Sequence, residues 1–259
     1  MVAPNLALTA RHCVSKADEN LDCNVDGTPS SGGKIDHDHQ ASELRFYVGP
    51  GTPGASTAPS ALGARIVHDG ASNLCAHDLA LVLLDRPLAT PIAPLRLDSD
   101  PVPGEPVRVV GWGLVTDSPE TPPDVRQRRD VSVIHLGPRR NAQYFTLTPA
   151  DFSLGESICS GDSGGPVLSR DSGAVIGVIS HGDSCLGPGE YNVMTKIAPF
   201  RATIDAAFAL AGAQPKLEQH LVSVGGGGGI CRVGGDPTDG VVLFSAFFLW
   251  AMRRRLFAR

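Results

Sequence analysis

Short apolar runs, each closed off by a stretch rich in Gly, Pro and Ser, limit what this chain can fold into. The runs fall at Leu44–Val48, Leu79–Leu84, Pro106–Val110, Val131–Leu136, Pro166–Leu168 and Ala174–Ser180. This is the rhythm of an all-β chain, because each run suits one strand and each break suits a turn. Thirty Gly and 21 Pro against 5% aromatic residues agree with many turns and few long helices. Residues 24–42 and 49–64 read as polar or small-residue loops between strands. One helix is expected near Pro199–Gly212, where Phe200, Ile204, Phe208 and Ala211 recur at helical spacing between an opening Pro and a closing Gly. Met1–Ala10 is apolar but has neither a cationic start nor a small-residue cleavage site. It reads as a buried strand and not as a signal peptide.

A length of 259 residues bounds the chain to one large domain or two small lobes sharing a core. The net charge of −5 leaves no surplus of Lys and Arg to displace counterions, which excludes nucleic acid as a partner. Six Cys without a CxxC pair make neither a small disulfide scaffold nor a zinc site. The charge is uneven, at −8 over residues 1–224 and +3 over residues 225–259. Three segments follow: a folded domain over 1–212, a linker over 213–229 that ends in Gly225–Gly229, and a tail over 230–259. In the tail the apolar run Val241–Met252 meets Arg253, Arg254 and Arg255. At ~1.5 Å per residue the run spans about 18 Å, short of the roughly 30 Å hydrocarbon core. The Arg cluster follows the positive-inside rule and puts residues 1–224 outside the cytoplasm. The expectation is a short membrane-retained sorting segment.

The chemistry centres on Cys159-Ser160-Gly161-Asp162-Ser163-Gly164-Gly165-Pro166. The glycines let the backbone turn tightly and let a substrate approach Ser163. A serine hydroxyl is a weak nucleophile, so it needs a base for its proton and a third group to orient that base. Both are available: His12 in Thr9-Ala10-Arg11-His12-Cys13, and Asp78 opening the apolar run Leu79–Leu84. A carboxylate at a desolvated strand edge favours the imidazolium formed during attack. Gly161–Gly165 also fits the G-x-S-x-G pattern of α/β-hydrolases, but there the order is Ser, acid, His on a strand–turn–helix. Pro166 blocks a helix here.

In the order His, Asp, Ser, these motifs resemble the trypsin/chymotrypsin family of serine endopeptidases over about residues 3–212. The resemblance implies two perpendicular six-stranded antiparallel β-barrels with the site between them, and a C-terminal helix. It implies His12, Asp78 and Ser163 as the triad, and the amides of Gly161 and Ser163 as an oxyanion hole. Asp162 takes the place of the carboxylate that pairs with a newly cut N-terminal amine. Cys159 and Cys185 match a disulfide across the specificity pocket, which requires an oxidising compartment. Residues Gly177–Cys185 look like the strand that pairs with substrate backbone, with Ser180 in it and His181 where the family usually has Trp. Ser157 falls at the pocket base, with Ile158 narrowing the slot, Ser160 beside it and Gly182 and Gly189 on its walls; Glu190 would add charge if it turned inward. A neutral, open slot implies an apolar or aromatic P1 side chain.

Family members also have two strands before the catalytic His, so the first barrel is expected to be incomplete here, with a longer natural chain upstream of Met1. Asp162 would then lack its ionic partner, a costly state for a buried charge. Cys13 lacks the upstream cysteine that normally pairs with it, and Cys13–Cys23 is the sensible local alternative, leaving Cys75 over or competing for either. Cys231, in the tail, reads as a processing or lipidation site. The tail resembles the sorting tails of bacterial surface proteins of the myxobacterial type, engaging a membrane or a sorting protease. Asp36-His37-Asp38-His39 reads as a solvated insert, not a metal site, and no cofactor is implied. His77 is expected to face solvent or bond locally, and His68, His135 and His220 have no evident companions. The expectation is a secreted or surface-displayed serine endopeptidase acting on proteins or peptides. The alternative is a catalytically inactive homologue serving as a surface binding module.

Overall fold

The computed structural model describes residues 1–18, 20–51, 53–54, 56–114, 127–140, 146–182, 192–219 and 248–249. Its apolar runs become strands because alternate or successive side chains find cover. The first half contributes β1 (Leu6–Thr9), β2 (Ser15–Ala17), β3 (Leu21–Cys23), β4 (Pro29–Gly32), β5 (Ile35–Asp38), β6 (Arg45–Tyr47), β7 (Ala61–Val67) and β8 (Ala80–Leu84). The second half contributes β9 (Pro106–Gly111), β10 (Gln127–Leu136), β11 (Arg139–Arg140), β12 (Thr146–Leu147), β13 (Asp151–Leu154), β14 (Pro166–Ser169), β15 (Val175–His181) and β16 (Asn192–Lys196). Helix α1 (Arg201–Ala211) follows, and β17 (Phe248–Leu249) adds one more short strand.

The second half closes on itself as a six-stranded antiparallel barrel, in the order β10-β13-β16-β15-β14-β9. Closure satisfies every strand edge, and Val107, Phe152, Leu154, Val167, Ile176 and Met194 fill the interior. The first half is an open sheet in the order β1-β8-β7-β6-β17. Its core packs Ala7, Val14, Phe46, Val82 and Leu84. A third cluster joins the halves: Leu6, Leu79, Leu81, Leu95, Val175, Val178, Ile204 and Phe208 bury one another. The fold is thus the double-barrel arrangement with its first barrel open. Helix α1 presents Ile204, Ala207 and Phe208 to this joint and ends at Gly212, whose φ of 65° suits the left-handed stop.

Two expectations need correction. Residues 24–42 are not one loop: β3 pairs with β4, and β5 pairs with β2. The polar sequence hides these strands because their inward contacts are ionic or covalent, apart from Ile35. The local Cys13–Cys23 bridge also gives way, since Cys23 is bonded to Cys75 across 52 residues with Cα atoms 5.6 Å apart. The β3–β4 hairpin carries Cys23 away from the turn that holds Cys13, which is a free thiol.

Residues 213–219 of the expected linker run against the fold, where Leu95 N–H donates to Lys216 O at 2.8 Å, Glu218 N–H donates to Leu95 O at 2.9 Å and Arg96 Nη2 donates to Glu218 Oε1 at 2.8 Å. Residues 220–229, most of the tail and Cys231 lie outside the described residues. From the tail, Phe248–Leu249 pairs antiparallel with β6. Among the described residues no helix is long and apolar enough to cross a membrane.

Candidate active site

The β1–β8 register brings the first two chemical groups together. Thr9 lies opposite Ala80, so the residues just after β1 and just before β8 emerge at the same end of the ladder. His12 stands on the 3-10 turn Arg11–Cys13 that follows β1. Asp78 is 4% exposed and faces it. The His12 backbone N–H donates to Asp78 Oδ1 at 2.9 Å, and the His12 Nδ1 lies 2.8 Å from Oδ2 and 3.1 Å from Oδ1. An ionised carboxylate only accepts hydrogen bonds, so Nδ1 carries the proton and Nε2 of the neutral ring is left with its lone pair. That is the tautomer a general base requires.

A third donor closes the cage, since Ser180 Oγ donates to Asp78 Oδ2 at 2.5 Å. Burial alone would raise the Asp78 pKa. The charge of His12 and the hydrogen bonds from His12 and Ser180 outweigh it and hold Asp78 down at about 2. His12 is crowded by protein even though 29% of its side chain is exposed. Burial opposes its charge, but the Asp78 carboxylate and the Cys13 sulfur prevail, and its pKa stands well above the ordinary 6.5.

Ser163 sits in the turn between β13 and β14, stapled to β15 by Gly164 N–H to Ile179 O at 2.8 Å and Ile179 N–H to Gly165 O at 2.9 Å. Gly164 has a φ of 77°, and a Cβ there would stand 2.3 Å from Thr9 Oγ1, so only glycine lets this turn press against β1. Gly161, with a φ of 97°, is exposed at the mouth of the same turn, next to exposed Ser160. The Ser163 hydroxyl donates to the Ser180 carbonyl oxygen at 3.4 Å, and among the described residues it makes no hydrogen bond to His12. Cys13 Sγ lies 3.7 Å from His12 Nε2 instead.

Asp162 is 9% exposed and accepts from the backbone N–H groups of Gly113 at 2.8 Å and Cys159 at 2.9 Å. Its carboxylate thus accepts from two main-chain donors. Burial still raises its pKa, against those two bonds and the Arg129 charge. Ser157 and Ile158 are 3% and 6% exposed and line a small cavity of about 20 Å³ beside Asp162. Ile158 packs into the barrel core. Gly182 is exposed at the end of β15, while Gly189, Glu190 and Cys185 lie outside the described residues. Cys159 is disulfide-bonded.

Sequence reasoning missed the group behind His12. Arg11 is 3% exposed; its Nε donates to Ser15 Oγ at 2.6 Å and its Nη2 to Asp38 Oδ1 at 2.6 Å. His68 Nε2 lies 3.0 Å from Asp38 Oδ2, so Asp38 is a bridging acceptor and His68 does have a companion. The available signal was an arginine interrupting an apolar segment, since a buried guanidinium demands acceptors. His77 bonds locally, to Asp69 at 2.5 Å. Among the described residues no group of three or more His, Cys, Asp and Glu is placed to hold a metal ion.

Comparison with known proteins places the chain in a family. A profile described as Trypsin matches residues 1–204. The chain is 35% identical over 132 residues to the snake venom serine protease KN13 of Trimeresurus stejnegeri, covering 46% of this chain and 50% of that protein. It is 37% identical over 131 residues to the thrombin-like enzyme elegaxobin-1 of Protobothrops elegans, covering 46% and 55%. A snake venom serine protease homolog, KN4 of Trimeresurus stejnegeri, is 35% identical over 132 residues, covering 46% and 49%. The chain thus spans about half the length of the curated relatives it matches.

Proposed function

This chain belongs to the trypsin family of serine proteases, and from that premise we propose that it is a serine endopeptidase working through an acyl-enzyme. The observation that carries the reading is the caged Asp78, whose three donors orient His12 so that the neutral ring keeps its lone pair on Nε2. Ser163 attacks the scissile carbonyl, His12 takes its proton and returns it to the leaving amine, and Asp78 stabilises the imidazolium between. The Gly161 and Ser163 amides stabilise the oxyanion, and each such donor is typically worth roughly 3–4 kcal/mol. Hydrogen bonds in resting sites are often open and close only around substrate, which accommodates the unmade Ser163–His12 contact.

The family resemblance assigns Ser157 to the pocket base and Gly182 to a wall, which supports a neutral, apolar or aromatic P1 side chain. The natural substrates are proteins or peptides outside the cytoplasm. The Cys23–Cys75 disulfide and bonded Cys159 support an oxidising compartment. With Lys216–Glu218 docked against Leu95 and Arg96, residues 220–229 serve as the linker and 230–259 as the bacterial sorting segment, with the Arg cluster on the cytoplasmic side before processing. Profiling cleavage of a peptide library by the purified protein tests the reading. Cuts after large apolar residues that vanish in Ser163→Ala are expected; cuts confined to Arg or Lys would contradict the P1 assignment.

One observation favours a second reading, a non-catalytic homologue that binds peptides. Cys13 Sγ, not Ser163 Oγ, faces His12 Nε2. On that reading the library is bound but not cut.

A further inference from the structure

Strand β15 carries one residue too many opposite β16. Ile179 pairs with Met194 and His181 with Val193, so Ser180 is the bulged residue. A bulge re-aims side chains beside an active site, and here it separates two successive ones. Ser180 is 3% exposed and turns its hydroxyl to Asp78, while His181 ends the strand exposed. The residue before His181 therefore touches the triad acid through its hydroxyl and the Ser163 hydroxyl through its carbonyl oxygen.

The protons in this row are fixed by what each group can do. Asp78 is an acceptor only, so the single Ser180 hydroxyl proton goes to it. His181 Nδ1 lies 3.0 Å from the same Ser180 oxygen, which has no second proton to give. Nδ1 must therefore be the donor. Its ring then holds the proton on Nδ1 and leaves Nε2 as a bare acceptor. Burial opposes the imidazolium, which the Asp78 charge favours. Burial, with the His12 charge, holds the imidazole down at about 4, so the ring stays neutral in ordinary solution.

We propose that His181 is a specificity-determining residue whose Nε2 accepts a hydrogen bond from a substrate side chain bearing an O–H or N–H donor. The proposal rests on the reading that peptides bind across Ser163. A substrate presenting an isosteric apolar side chain leaves that acceptor unpaired, and a neutral hydrogen bond of this kind is worth about fivefold in binding.

Two measurements decide it. The first is ¹⁵N–¹H correlation of the imidazole rings, with His181 identified by its loss in His181→Phe. The Nδ1–H tautomer is expected, and the Nε2–H tautomer overturns the proposal. The second compares binding to Ser163→Ala of peptide pairs differing as Thr against Val and Asn against Leu, at each position before the scissile bond. At one position the donor member should bind about fivefold tighter, losing that advantage in His181→Phe and recovering part of it in His181→Gln. Equal binding of both members everywhere, or a preference that survives in His181→Phe, overturns it. If the preference appears but the parent protein shows no Ser163-dependent hydrolysis, the endopeptidase reading fails and the His181 assignment stands. Hydrolysis without any preference overturns the His181 assignment and leaves the endopeptidase reading standing, and absence of both rejects both.

Discussion

Asp78 shows how much depends on one carboxylate. It is held ionised by His12 and Ser180, and His12 is held toward its charged form by Asp78. A base with a raised pKa is available only above that pKa, so kcat/KM should fall as pH drops through a value above 6.5, not at it. Asp78→Asn should move that limb downward and cut kcat about 10⁴-fold, because an amide no longer fixes the tautomer. A pH–rate profile of both proteins checks this. The same pair sets a stability window. The His12 side of it is fully present below 6.5 and is lost as pH rises through the higher folded value. The Asp78 side is present above 3.8 and is lost as pH falls toward about 2.

Asp151 behaves oppositely. Burial pushes its pKa up to about 6, against the Thr148 N–H and Oγ1 that donate to Oδ2. Its folded form prefers the proton, so its contribution is full below 3.8 and is lost as pH rises through about 6. Asp151→Asn should gain on the wild type across that window, by about 3 kcal/mol at its end, measured by urea unfolding at pH 4 and pH 8. The words around His12, Asp78 and Ser163 stood out because each carries its chemistry beside it in the chain; His12 and Asp78 meet, whereas Ser163 bonds to the Ser180 carbonyl. Arg11, Asp38 and His68 were not, since their partnership spans the β2–β5 pairing and leaves no local pattern.

At the scale of elements, periodicity served where cover is apolar. The runs at Leu79–Leu84, Pro106–Val110 and Ala174–Ser180 became strands because hydrophobic neighbours bury them, and Phe200, Ile204 and Phe208 marked a helix for the same reason. It failed at residues 24–42, where β4 is largely exposed and the local structure is fixed by pairing and by a covalent staple. That staple closes a long loop. Cys23→Ser with Cys75→Ser should therefore lower stability by about 4 kcal/mol on the chain-entropy argument, read from the urea midpoint. Phe208, 2% exposed at the joint between the halves, is the element-level counterpart. Phe208→Ala should cost about 3–5 kcal/mol by the same assay, because the helix face cannot collapse into the gap.

The whole molecule combines a closed barrel that holds Ser163, Ser180 and His181 with an open sheet that holds His12 and Asp78. The two are joined by an apolar interface centred on Leu79, Leu81, Val175 and Val178. That joint brings the elements carrying His12 and Asp78 beside the elements carrying Ser163 and Ser180. The family resemblance implied such a joint, but the bulge at Ser180 is a product of strand pairing and leaves no mark in the sequence. If this assembly makes Ser163 a nucleophile, a fluorophosphonate should find it, and the mass of the intact protein after exposure reads the outcome. One adduct per chain is expected, located on Ser163 and absent from both Ser163→Ala and His12→Ala. An unmodified wild-type protein, or an adduct that persists in Ser163→Ala, would contradict it.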